Sequence, residues 1–226
     1  ASFSSYYAWP LAAPKTVVIV PGTGVRGTLH QLRAEGAVPP LPLIALPLLL
    51  TSDYHALKAG EYEFAAGMTP AQVLAKIIRG EVVVHKLTIP EGWNSGQLRA
   101  ALMDEPLLSG ELPSVIAEGS ALPDTLYFSR GETRSSVLAR MQKAQQALLA
   151  ALWEKRAPGL PITTPEEAVI LASVVEKETG LAEERPLVAG VFVNRLRIGM
   201  KLQSDPTVVY GMELAQGGKP LGRALT

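Results

Sequence analysis

Two spacings of hydrophobic positions alternate along the first third of the chain. Residues 16–20 (TVVIV) form a β-branched run stopped by Pro21 and Gly22, which predicts a short buried strand and a turn. A weak helical pattern follows over 25–35, and EYEF at 61–64 alternates as a half-buried strand does. Thr69 with Pro70 behind it and Gly80 at the far end bound a helix, and VVVHKLTI at 82–89 is a third strand. The order β-α-β-α-β predicts a small α/β unit over 16–86, preceded by a linker over 1–15. From 87 to 226 the pattern is mainly helical, so the fold class is α+β. The turn residues of 90–96 lead into a helix carrying Leu98, Ala101 and Leu102, and 112–128 look irregular. Val137, Leu138, Met141, Gln145, Leu148 and Leu152 mark one face of a long amphipathic helix. A later helix over 184–198 turns Leu187, Val188, Val191, Phe192 and Leu196 inward, and 201–211 read as a loop around an Asp-Pro turn.

The helix in TTPEEAVILASVVEKETG (163–180) changes the picture from fold to chemistry. Thr164, Pro165 and Glu167 make a capping box with proline at the first helical position, and Gly180 is the expected stop. At about 100° per residue, Leu171, Val174 and Val175 fall within roughly 60° of Glu178, whereas Glu176 falls roughly 160° away. Glu178 is therefore expected on the apolar, core-facing stripe and Glu176 in solvent. A carboxylate on an apolar face either pairs with a cation or holds its proton near neutrality. From the residues alone both readings stay open: an ion pair with Arg185 or Arg195, or a general acid.

Composition narrows the function classes. The 226 residues carry 21 basic and 21 acidic side chains, and this zero net charge argues against a nucleic-acid binder, which needs a basic face to neutralise phosphates. The chain has no cysteine, which excludes disulfides and thiolate chemistry. Its three histidines, His30, His55 and His85, are scattered without metal-ligand spacing, so neither a metal nor another cofactor is expected. AVPPLPLIALPLLL (37–50) is the most apolar run, but its prolines break it, and it reads as a packed or partner-facing connector. Phe3, Tyr6, Tyr7 and Trp9 are aromatics of the kind that sit at a membrane interface, as they would just after an N-terminal anchor.

The stretch ASVVEKETGLAEERPLVAGVFVNRLRIGMKLQSDPTVVYG (172–211) resembles the signature region of the MltG, or YceG-like, family of endolytic murein transglycosylases. LKAGEYEF (57–64), PEG (90–92) and the segment with Glu118, Gly119, Pro123, Asp124 and Thr125 agree with that family in order and spacing. The resemblance implies a LysM-like subdomain followed by a lysozyme-like catalytic domain. It implies an N-terminal anchor before this chain, with the catalytic part facing the periplasm or exterior of the inner (plasma) membrane, and a further region beyond Thr226. It carries the catalytic role to Glu178, the second Glu of EKET, as general acid and then base. Gln203, Ser204, Asp205, Asn194, Tyr210 and Glu118 become candidates for substrate binding, Glu118 also as a structural or second acid. The implied substrate is peptidoglycan glycan strand, and the implied partners are peptidoglycan synthesis proteins. Where the family carries aromatics around its Pro-Asp-Thr motif, this chain has Ser120, Ala121, Leu122 and Leu126, so sugar stacking is not expected there. The alternatives are a non-catalytic glycan-binding module and a hydrolase that delivers water.

Overall fold

The computed structural model describes residues 10–39 and 57–215. The aromatic start and nearly all of the proline-rich run lie outside the described residues. Among the described residues, seven helices and two small sheets make a mixed, α+β arrangement. No helix among the described residues is long and apolar enough to cross a membrane.

The chain divides into two compact units. The first contains the chain up to Lys86, with Leu107–Ser109 and Tyr127–Glu132. Here β1 (Lys15–Ile19) pairs antiparallel with β2 (Gly60–Phe64), with Lys15 opposite Phe64 and Ile19 opposite Gly60. Helices α1 (Gly24–Ala34) and α2 (Pro70–Arg79) supply Leu29, Leu32, Val73, Leu74 and Ile77 to a core with Val17, Ile19, Tyr62 and Phe64. Each such side chain contributes about 1.5–3 kcal/mol by leaving water. The Tyr62 hydroxyl donates to the Lys58 carbonyl at 2.9 Å, which lets a polar tip sit in that core. As expected, α2 opens on Thr69, whose side chain accepts from the Gln72 N–H, and ends at Gly80 in the left-handed conformation.

Strand β3 (Val84–Thr88) pairs with β4 (Thr125–Ser129) in the second sheet. This corrects the irregular reading of 112–128 at its end only, since 112–124 carry no helix or strand. TLYFS does alternate, with Leu126 and Phe128 buried, but it is only five residues long. Glu61 on β2 is buried as well, although Glu63 on the same face of the strand is exposed. The Glu61 carboxylate accepts from His85 Nε2 at 2.7 Å and from Arg130 Nε at 2.9 Å.

The second unit holds α3 (Ser95–Asp104), α4 (Arg134–Glu154), α5 (Pro165–Glu178), α6 (Arg185–Arg197) and α7 (Asp205–Ala215). Two predicted faces need correction. On α4 only Val137, Leu138 and Met141 are buried, while Leu148 and Leu152 are exposed. On α6 only Phe192 is buried, against Val174 and Val175 of α5 with Val188 partly buried; Leu187, Val191 and Leu196 are exposed. Periodicity reports which residues share a face, not how far along the helix a neighbour covers it. The predicted loop over 201–211 is likewise a helix from Asp205 onward. Thr207 donates through its N–H (3.1 Å) and Oγ1 (2.7 Å) to the Ser204 carbonyl, and Asp205 is an acid in the first turn, where the helix dipole favours it.

Candidate active site at the end of α5

Helix α5 begins as its sequence requires. Glu167 N–H donates to Thr164 Oγ1 at 3.2 Å, and the Glu167 carboxylate accepts from Thr163 N–H at 2.5 Å and Thr164 N–H at 3.3 Å. Those bonds, the Thr163 backbone contact first, hold Glu167 below the usual carboxylate range. The helix ends at Glu178, with Thr179 rather than Gly180 as the capping residue.

Two glycine turns pack along α5. Gly92 of the Pro-Glu-Gly turn has φ +74°, and a Cβ there would lie 3.4 Å from the end of Lys177 and 3.7 Å from Glu176 Cγ. Gly119 has φ +67°, and a Cβ would meet Val169 Cγ1 at 2.6 Å. Two of the three sequence motifs that agree in order with the signature, PEG and the segment that opens with Glu118 and Gly119, thus lie against the helix that carries Glu178. Both turns need the left-handed backbone that glycine adopts cheaply, and at Gly119 the close approach of Val169 adds a second demand.

Glu178 is exposed, contrary to the expected burial, and among the described residues it makes no ion pair or hydrogen bond. The helical wheel placed Val174 and Val175 correctly, since both are buried, but Glu178 is the last residue of α5 and the covering contact from Phe192 sits a turn earlier. Glu176, expected in solvent, is part-buried and bonded to Arg185 Nη2 at 3.1 and 3.2 Å. Arg195, the other cation weighed for Glu178, donates to the Leu202 carbonyl instead.

The remaining candidates divide into engaged and open groups. Glu118 accepts from Ser95 N–H at 2.9 Å and Ser95 Oγ at 2.7 Å, and its charge lies close enough to act on the Tyr210 hydroxyl. Burial first, and then the neighbouring Glu118 charge, raise the Tyr210 pKa. The structure therefore brings Glu118 and Tyr210 together as a joint between the start of α3 and α7. Asn194 is exposed and its Oδ1 accepts from Arg197 Nη1 at 3.3 Å. Gln203 is exposed and is the one non-glycine residue with positive φ among the described residues, at 50°. Such backbone costs about 1–2 kcal/mol outside glycine and clusters at functional sites. Ser204 beside it is 2% exposed, and its Oγ has no partner among the described residues. Asp205 is exposed. A concavity of about 470 Å³ between α4 and α5, lined by Trp153, Arg156, Pro158, Leu160, Ile162 and Thr163, contains none of these residues.

Sequence reasoning missed Ser95, Thr179 and Glu184, each of which fixes a part of this region by hydrogen bonds. The available signal was position: Thr179 follows Glu178 directly, and Glu184-Arg185 open the next helix.

Comparison with known proteins agrees with the resemblance. The chain is similar to the endolytic murein transglycosylase of Streptococcus pneumoniae, at 29% identity over 201 residues, 70% of this chain and 36% of that protein. It is similar to the endolytic murein transglycosylase of Bacillus subtilis at 24% identity, covering 68% of this chain and 51% of that protein. The chain thus spans about half or less of the length of these relatives. A crystal structure of a putative yceG-like protein from Listeria monocytogenes is matched over 94% of this chain and 78% of that one, at 24% identity and a TM-score of 0.46. The YceG-like family model matches residues 17–223, and this chain belongs to that family.

Proposed function

We propose that this chain is the catalytic part of an endolytic peptidoglycan lytic transglycosylase, with Glu178 as its single catalytic carboxylate. The names of its relatives support the reaction class. The observation that carries the reading is the position of Glu178 as the second Glu of EKET inside the segment the family model matches. It stands exposed and unpaired at the end of α5, while Glu118 and Glu176 are held by hydrogen bonds and an ion pair. Most hydrolytic glycosidases use two working carboxylates. One suffices when the substrate supplies its own nucleophile.

In the proposed reaction Glu178 donates its proton to the glycosidic oxygen between N-acetylmuramic acid and N-acetylglucosamine as the C1–O bond breaks. The 6-hydroxyl of the muramic acid residue then bonds to C1, and its proton returns to Glu178. The products are a free 4-hydroxyl and a 1,6-anhydro end, with no water consumed. Cutting inside strands would set their length. Gln203, Asp205 and Asn194 are proposed to meet the sugars from exposed positions, with Ser204 supporting the Gln203 backbone and Glu118 and Tyr210 shaping the region from behind. The LysM-like role of the first unit, the membrane anchor and the synthesis-machinery partners belong to the same proposal.

Digestion of purified glycan strands tests it, with the chain and its Glu178→Gln variant, followed by mass spectrometry of the new ends. Ends one water lighter than hydrolysis products, absent with the variant, are expected. Hydrated reducing ends would make the chain a hydrolase, and strands that are bound but left whole would make it a glycan-binding module.

A further inference from the structure

Glu178 sits between two residues that are each tied to the start of α6. Thr179, one residue later, is buried, and its Oγ1 donates to Glu184 Oε2 at 2.7 Å while accepting the Leu181 N–H at 3.1 Å. Both functions of that hydroxyl are used, so its torsion is fixed. Its backbone N–H still reaches the Val175 carbonyl at 3.3 Å, although the residue itself has turned to extended geometry, φ −140° and ψ 134°. Two residues before Glu178, the Glu176 carboxylate is held by Arg185 Nη2 at 3.1 Å. Glu184 and Arg185 are neighbours, the capping residue and first residue of α6.

Helix ends fray because their last carbonyls lack partners. A carboxylate that must meet a glycosidic oxygen cannot be placed by a fraying turn. We infer that Glu184 and Arg185 form a clamp on the last turn of α5, with Thr179 and Glu176 as its two grips, and that these are positioning residues for Glu178. The inference rests on the transglycosylase reading above. Removing a grip leaves the substrate-facing groups in place but lets the Glu178 backbone wander, so turnover falls while substrate affinity holds. Misplacement of a catalytic group by about 1 Å costs up to about 100-fold in rate.

The test compares Thr179→Val, Thr179→Ser, Glu184→Ala, Glu176→Gln for the second grip, and Glu178→Gln in the full chain, with kcat and KM measured on glycan strands and melting followed in parallel. Thr179→Val is expected to lower kcat about 10- to 100-fold with KM within about twofold, and Thr179→Ser to recover most of it. Glu184 is exposed, so Glu184→Ala tests the same bond without touching the core and is expected to match Thr179→Val. Wild-type kcat in both Glu184→Ala and Thr179→Val overturns the clamp, and so does a Thr179→Ser variant as slow as Thr179→Val, which would assign the effect to packing. Cleavage that needs Glu178 but ignores both grips sinks the clamp alone. Strands left uncut by the unaltered chain sink the transglycosylase reading and the clamp with it.

Discussion

At the scale of single residues, the second unit depends on backbone that only glycine adopts cheaply. Gly119 combines φ +67° with the Val169 side chain 2.6 Å from where a Cβ would stand. Gly159 has φ +73° with open space around it, so it reports the backbone contribution alone. Gly159→Ala is expected to cost about 1–2 kcal/mol, and Gly119→Ala about 1–3 kcal/mol more from the contact, both read by denaturant unfolding. Adding Val169→Ala to Gly119→Ala should return only the contact part. Equal costs at the two glycines would show that Val169 simply swings away. Glu178 teaches a related lesson about legibility. The wheel singled it out and the neighbouring valines are buried as it required, yet the side chain is exposed. An angle around a helix axis carries no information about where along the axis the covering helix stops.

At the scale of elements, what could be read was what is decided locally. The caps of α2 and α5 were legible because the bonding partners lie three residues apart. The end of α3 was not, because its cap comes from a distant part of the chain. Arg134, the first residue of α4, donates through Nε to the Leu102 carbonyl at 2.7 Å and through Nη2 to Met103 at 3.1 Å and Glu105 at 3.0 Å. Its Nη1 reaches the Gly110 carbonyl at 2.8 Å. No basic residue stands in the last turn of α3 to do this itself. A planar fork can serve four carbonyls at once, whereas an ammonium on a flexible stem cannot. Arg134→Lys is therefore expected to cost about 1–2 kcal/mol and to loosen amide exchange at the end of α3 first. Unchanged exchange over Leu102–Glu105 would show that those carbonyls are satisfied without the guanidinium. Strand β4 and helix α7 escaped for the same reason as this cap. One is a five-residue alternation that means nothing until β3 lies beside it, and the other begins with an Asp-Pro pair that serves a turn equally well.

At the scale of the whole molecule, the order of elements through residue 86 was legible, but the return of 107–109 and 127–132 to the first unit was not. Arg130 arrives with that return and meets Glu61, sixty-nine residues earlier, together with His85. The Arg130 hydrogen bond, aided by His85 and opposed by burial, holds the Glu61 carboxyl below its ordinary value. A carboxyl depressed in the folded state contributes stability that is fully present above its unfolded pKa of roughly 4.3. That stability drains away as pH falls from there through the lower folded value. Glu167 is also depressed, but it serves the start of α5 in the other unit. Each unit has its own buried cluster, so the two acid responses should be separable by hydrogen exchange. Glu61→Gln is expected to cost about 1–3 kcal/mol at neutral pH, read as faster exchange over Lys15–Ile19 and Gly60–Phe64. It should also flatten the loss of protection there as pH falls below the unfolded carboxyl pKa, while the acid response over Pro165–Glu178 keeps its wild-type course. A variant whose α5 amides lose protection in step with β1 and β2 would mean that the two cores open as one cooperative body. Glu61 would then be a determinant of the geometry around Glu178, not of the first unit alone.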